Sequence, residues 1–322
     1  MALQGSAHAA TVWYVSPSGS DANPGTVAAP LRTIKKAVTV LHGGDVLYVR
    51  GGTYVENATG MSIAAGTAGA PITVAAYPGE RPVVQGLLWL TNPSYWILDG
   101  LNVTWNPANG PSQHMMKMTG GTGWVVEHAE IWGARSFAGL LVAGTPMNWR
   151  VAENCIHDTY PSNGTNQDHL VYANSGLTGT GGVIERNLMF NATNGEAVKL
   201  AGPSSTSGGA SNVTVRYNTI DNTSQDMLVA WQAHDNAIRD NLLGRTAPNN
   251  GAIRGYQVTG TGNVAAHNFA FNTKAMLTND KGYSGVADAG NNVLGTDPLF
   301  DGRSCSAYHP VNAVAATFGR YA

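Results

Sequence analysis

The chain has 322 residues, 40 of them glycine, with 12% charged side chains, a formal net charge of −2 and a pI near 6.5. Such a near-neutral chain lacks the basic stripe of a general nucleic-acid binder, and no apolar run has the length of a membrane-crossing helix. Abundant Gly, Asn and Thr with few Lys and Glu disfavour long helices and favour short strands joined by turns.

The first ten residues, MALQGSAHAA, end in a small-residue A-x-A pattern. They read as a tag or the remnant of a secretory signal, and so point to a secreted protein. Residues 11–322 then read as a single domain. In APLRTIKKAVTVLHGGD, Leu31, Ile34, Ala37, Val38 and Leu41 recur at helical spacing before Gly43-Gly44. This predicts an N-terminal cap helix over about 31–42, covering a strand edge that would otherwise stay open to pairing. DVLYVRGGTYVE follows as the first coil of a repeat, which runs on through PITVAAYPGERPVVQG, WILDGLNVTW and WVVEHAEIWG.

Five segments then share one pattern: RVAENCI, VIERNLM, TVRYNTI, AIRDNLL and VAAHNFA. They place Asn154, Asn187, Asn218, Asn241 and Asn268 at intervals of 33, 31, 23 and 27 residues. One short strand pattern per period of this size marks a solenoid. Asn suits a stacked turn because it tolerates the left-handed region and its amide can bond the Asn one coil away. GNNVLGTDPLF closes the series, and the irregular tail 301–322 is expected to cover the far end. Cys155 and Cys305 read either as a disulfide fixing that tail or as two isolated buried thiols.

YVSPSGSDANPGT, the stripe after it, GDVLYVRGGTYVE, the Asn repeats and the late DPLF together resemble the right-handed parallel β-helix superfamily of pectate-lyase-like proteins. The resemblance implies an all-β solenoid. It leaves the activity open, since the fold carries lyases, hydrolases, isomerases and phage spikes.

A second strand follows each Asn segment, and outward side chains form columns along the stacked coils. With Met116, Leu140, Val171, Val198, Leu228, Ile253 and Met276 inward, the outward column reads Lys117, Leu141, Tyr172, Lys199, Val229, Arg254, Leu277. Tyr172 and Lys199 fall on adjacent coils, roughly 5 Å apart at the backbone. A parallel column of Asn174, Ala201, Trp231 and Tyr256 offers aromatic faces on which sugars stack. In the neighbouring sheet the column Asp99, Glu127, Ala152, Glu185, Arg216, Arg239, Ala266 passes from acid to Arg. A groove between the sheets would be cationic around Lys199, Arg216, Arg239 and Arg254, and would suit an anionic polysaccharide. His169, Glu196 and Asp226 share a further column at the strand starts.

These residue types match β-elimination on a uronate polymer. The weakly acidic C5 proton leaves only if charge on the adjacent carboxylate is neutralised. A base takes the proton and an acid protonates O4. Either Lys199 is the base with Tyr172 as acid, or Tyr172 serves as both with Lys199 as neutraliser. Tyr and Lys on adjacent coils resemble the arrangement of β-helical alginate lyases that degrade poly-mannuronate. That resemblance implies catalytic roles for Tyr172 and Lys199, with Arg254 or Arg239 holding the uronate and Trp231, Tyr256, Arg216, Asn174, His169 and Lys117 lining the substrate path. Calcium-dependent pectate lyases resemble one another in an Asp-Asp cluster that this chain replaces with isolated Asp168 and Asp226. No cofactor is therefore expected, with calcium left open, and the solenoid is expected to act as a monomer. Two other readings compete: a glycoside hydrolase using Glu196 and Asp226 across the scissile bond, and a glycan-binding solenoid without catalysis.

Overall fold

The computed structural model describes residues 9–135, 137–160, 167–176 and 181–322. Alternating apolar side chains make nearly every strand bury one face, and stacked coils satisfy each other's backbone by parallel pairing. Among the described residues one sheet has eleven parallel strands in which each coil pairs with the next, from Val12–Val15 to Ala287–Asp288. The other sheet has fifteen strands and wraps two faces of the coil, because Pro82–Thr91, Leu188–Ala201 and Thr219–Ala230 run from one face onto the next. The result is an all-β parallel solenoid.

Its core is a set of aliphatic columns. Val74, Leu98, Val126, Val151, Ile184, Val215, Ile238 and Ala265 stack rung upon rung, none more than 2% exposed. Each such Val, Leu or Ile contributes roughly 1.5–3 kcal/mol by leaving water. At the bend after this sheet runs the asparagine ladder. Asn154, Asn187, Asn218, Asn241 and Asn268 are all fully buried. The backbone N–H and the Nδ2 of each donate to the Oδ1 of the next Asn at 2.9–3.1 Å, ending on Asn292. The left-handed residue of each bend is not the Asn. It is the residue before it: Glu153, Arg186, Tyr217, Asp240 and His267, with φ of 49–58°. Those side chains leave towards solvent while the Asn points in and spends its amide on the neighbouring coils.

The stripe Leu31, Ile34, Ala37, Val38 and Leu41 is buried as expected, each at 2% exposure or less. The expected cap helix over 31–42 is corrected to one helical turn, Ile34–Ala37. The Glu56 carboxylate accepts from the N–H groups of Ile34 and Lys35 and holds that turn, and the β-branched run Val38-Thr39-Val40 does not extend it. The tail also departs from expectation. Irregular apart from a 3₁₀ turn at Ala315–Thr317, it turns back along the side of the coils instead of covering the far end. Cys305 forms a disulfide with Cys155, the Tyr308 hydroxyl donates to buried Asp221 at 2.9 Å, and Arg320 reaches the Asn154 carbonyl at 3.1 Å. The leader reading for residues 1–8 lies outside the described residues.

Candidate active site

The cavity-bearing face is built by Met116–Thr119, Leu140–Gly144, Val171–Ser175, the end of Leu188–Ala201, the end of Thr219–Ala230 and Ile253–Tyr256. Met116, Leu140, Val171, Val198, Met227, Ile253 and Leu277 stack inward. The outward column is Trp89, Lys117, Leu141, Tyr172, Lys199, Leu228, Arg254, Thr278. Tyr172 beside Lys199, and Arg254 two coils on, stand where the sequence places them. Two strands are corrected by one residue: Met227 and Leu277 face inward, in place of Leu228 and Met276. In DMLVA and AMLTN the two residues at the slip, Met227-Leu228 and Met276-Leu277, are both apolar and read in either register. The same slip moves Trp231. The parallel column is Ala143, Asn174, Ala201, Ala230, Tyr256, with Trp231 just past the strand end at φ 59°.

The coils Leu188–Ala201 and Thr219–Ala230 cross between faces without a loop, while a loop precedes Val171 on one side and Ile253 on the other. A cavity of about 390 Å³ opens in that gap, lined by Gln167, Glu196, Lys199, Gln225, Trp231, Asn250, Arg254 and Tyr256 among others. Lys199 is 8% exposed, with its ammonium 4.9 Å from the Tyr172 ring centre and 5.5 Å from that of Trp231. Burial lowers its proton affinity below the ordinary lysine range, and the Glu196 charge offsets part of that. Arg254 sits over the Tyr256 ring at 4.9 Å and pairs with Asp280 at 3.1 Å. Trp231 and Tyr256 are thus packed around the two cations of the cavity.

Three side chains at the strand starts form one chain of contacts. Lys199 Nζ lies 3.4 Å from His169 Nε2, and His169 Nδ1 lies 2.5 Å from Glu196 Oε2. His169 is fully buried and Glu196 is 4% exposed. A Cβ on Gly195 would strike the Asp168 carbonyl, so the glycine is what lets these two coils close up. The connection of Lys199, His169 and Glu196 escaped the sequence reading, which treated the columns separately, and His169 lies just before the strand Val171–Ser175 that it was expected to begin. Asp226 is not part of it: Glu196 pairs in register with Gln225, and Asp226 is fully buried on the Thr223 hydroxyl at 2.8 Å. Burial raises the Asp226 carboxyl well above the usual range.

Other predicted residues lie elsewhere. The Tyr172 hydroxyl donates to the Gly202 carbonyl at 2.8 Å, and burial pushes the phenol up, which opposes its ionisation. Arg216 and Arg239 do not line the cavity. Arg216 bonds Glu185 at 2.7 Å, in a ladder with Arg150 and Glu127, and Arg239 bonds Asp240 at 2.6 Å. The expected cationic groove between the sheets is therefore reduced to Lys199 and Arg254. Lys117 lies three rungs before Lys199, over the Trp89 ring at 5.3 Å. Asn174 neighbours Tyr172, and its Oδ1 is buried with no hydrogen-bond partner among the described residues. His157 stacks on Phe190 at 4.7 Å on another face of the coil. Among the described residues no three His, Cys or carboxylate ligands meet at the cavity. The groups that do converge are Asp99, Glu127 and His128, and the disulfide cysteines with His157.

Comparison with known proteins agrees with this architecture. Residues 13–168, a little under half of the chain, match the family model described as Pel9A-like, right handed beta helix region. Over those residues the chain is similar to the Pel9A-like right-handed β-helices. Over 73 residues the β-helix is 44% identical to pectate lyase PEL9 of Emericella nidulans and 41% identical to the uncharacterized protein YwoF of Bacillus subtilis. Those matches cover 23% of this chain but only 18% and 15% of the two relatives. Among solved structures, pectate lyase Pel9A superposes with a TM-score of 0.65 at 15% identity, covering 92% of this chain and 84% of that one. A rhamnogalacturonan lyase gives 0.53 at 16%, covering 97% and 100%, and XylC with xylose gives 0.60 at 13%, covering 83% and 68%. At these identities the likeness is one of fold. The family match ends one residue before His169, so the cavity strands from Val171 onward lie beyond it.

Proposed function

We propose that this β-helix is a lyase that cleaves a uronate-containing polysaccharide by β-elimination, with Lys199 as base. The observation that carries the reading is a buried lysine of lowered proton affinity on the wall of a cavity that Arg254 also lines. Neutral Lys199 takes the C5 proton. The electron pair of that C–H bond becomes the C4=C5 double bond, the C4–O4 bond breaks, and the leaving oxygen takes a proton from solvent in the open cleft. Arg254, two rungs or roughly 10 Å along the backbone, holds the uronate carboxylate as negative charge grows on it. The Trp231 and Tyr256 rings supply the stacking faces. Of the two assignments left open by the sequence, the hydrogen bond from Tyr172 to Gly202 favours Lys199.

Polygalacturonate is the first substrate to test, since relatives in sequence and in fold are named pectate lyases. Poly-mannuronate, suggested by the Tyr172–Lys199 pairing, is the second. No step is routed through calcium, because the described residues at the cavity make no carboxylate cradle for it. The hydrolase reading is weakened by Asp226, which is fully buried and off the cavity wall. The reading is tested with Lys199→Ala, which should lower turnover by about 10³-fold or more while the folded signal persists. Unchanged turnover in that variant would exclude Lys199 as base.

A further inference from the structure

We infer that His169, held by Glu196, is the positioning residue of Lys199: it accepts a hydrogen bond from an N–H of the lysine amine and so aims the amine's lone pair into the cavity. The inference rests on Lys199 being the base. His169 Nδ1 stands 2.5 Å from Glu196 Oε2 and 3.4 Å from the Glu196 backbone N–H, and the shorter contact fixes the ring proton on Nδ1. Nε2 is then an acceptor, facing Lys199 Nζ at 3.4 Å. All three side chains are under 9% exposed, so water does not compete for these bonds.

The groups packed around the ring fit the same assignment. Tyr172 meets His169 edge-on at 5.4 Å, and Asp168 bonds Asn194 at 3.3 Å. His114, which also feels His169, is pushed down to about 3 by burial and so adds no charge near neutral pH. A lysine amine rotates freely about its last bond, so a base used at one carbon needs an anchor for its N–H groups. The two aromatic rings beside Lys199 confine the nitrogen but accept no directed bond as strong as that of an imidazole. Glu196, facing His169, is thereby spoken for and is not a free second carboxylate.

The test uses His169→Phe, which keeps an aromatic ring and removes both nitrogens, and Glu196→Gln, which keeps the shape and removes the charge. Each is followed by turnover against pH and, without substrate, by the pH dependence of Lys199 acylation read by peptide mass mapping. His169→Phe should lower kcat about 10–100-fold with KM within about twofold. Glu196→Gln should move the Lys199 labelling profile to lower pH by roughly half a unit, because the charge that holds the proton on is gone. If both variants leave kcat and the labelling profile unchanged, His169 does not position Lys199. If His169→Phe fails to fold, His169→Leu decides in its place: kcat and the Lys199 labelling profile both unchanged would overturn the positioning role. Should wild-type protein cleave no uronate polymer, the labelling arm of the His169 variant still decides: a moved profile keeps the coupling while the lyase reading falls, and an unmoved one overturns the coupling as well.

Discussion

Lys199 joins a chemical requirement to a folding cost. A base must be neutral to accept a proton, and burial makes the neutral form cheaper than it is in water. Turnover should therefore rise with pH through the Lys199 titration, with the midpoint below that of an ordinary lysine. A kcat profile that climbs only in the ordinary lysine range would contradict this. Arg254 serves a different step, so Arg254→Ala should lower kcat/KM about 10²-fold or more, with a loss in kcat as well as a rise in KM. A change in KM alone would make it a binding group. Asp226 gives a stability signature of opposite sign. Its folded carboxyl is raised above its unfolded value, so its contribution is fully present at acid pH and is lost as pH rises through the raised value. Asp226→Asn should accordingly be the more stable protein at neutral pH, by about 1–3 kcal/mol, with the gap closing as pH falls. Thermal melts across pH check this, and a variant less stable at neutral pH would refute it. The alternation V-x-L around Lys199 made its outward direction legible in sequence. The hydrogen bond that removes the Tyr172 hydroxyl from the chemistry was not legible, because its acceptor is a carbonyl 30 residues away.

At the scale of elements, the ladder at the bend fixes coil to coil. Asn218 Oδ1 accepts from the Asn187 backbone and side chain, and its Nδ2 donates to the Ile184 and Arg216 carbonyls and to Asn241. Asn218→Ala should cost about 2–4 kcal/mol, since it strands buried donors that nothing else can reach. Asn292→Ala, at the half-buried last rung, should cost much less. Equal losses in chemical melts would mean that the ladder is not what sets the cost. The periodic Asn made these rungs visible in sequence. Which residue takes the left-handed bend was misread, because Asn is favoured there on intrinsic grounds and the burial of its amide overrides that preference. The register slips at Met227 and Leu277 have a similar origin. The consecutive apolar residues at 227–230 and 275–277 give periodicity nothing to choose between. The cap stripe was right as a burial pattern and wrong as a helix, since one short turn can bury the same positions.

The whole molecule is closed by its tail. Cys155 and Cys305 stand 150 residues apart, so the disulfide removes a very large loop from the unfolded chain, worth up to roughly 5 kcal/mol on chain-entropy grounds. Sequence could not choose between a disulfide and two thiols, because the tail carries no repeat to place Cys305 on a face. The tail packs on Phe190, Phe269 and Asp221, on the side away from the Lys199 cavity. Reduction, or Cys305→Ser, should therefore lower the melting temperature while leaving kcat/KM within about twofold below the transition. A proportionate loss of activity would tie the tail to the site.

The most direct measurement is ultraviolet absorbance with time on polygalacturonate, poly-mannuronate, poly-guluronate and glucuronan, with and without chelator, for wild type and Lys199→Ala. A rising signal from a new C4=C5 double bond is expected on one of these polymers, insensitive to chelator and absent in the variant. New reducing ends without that absorbance, or the same absorbance from Lys199→Ala, would contradict it.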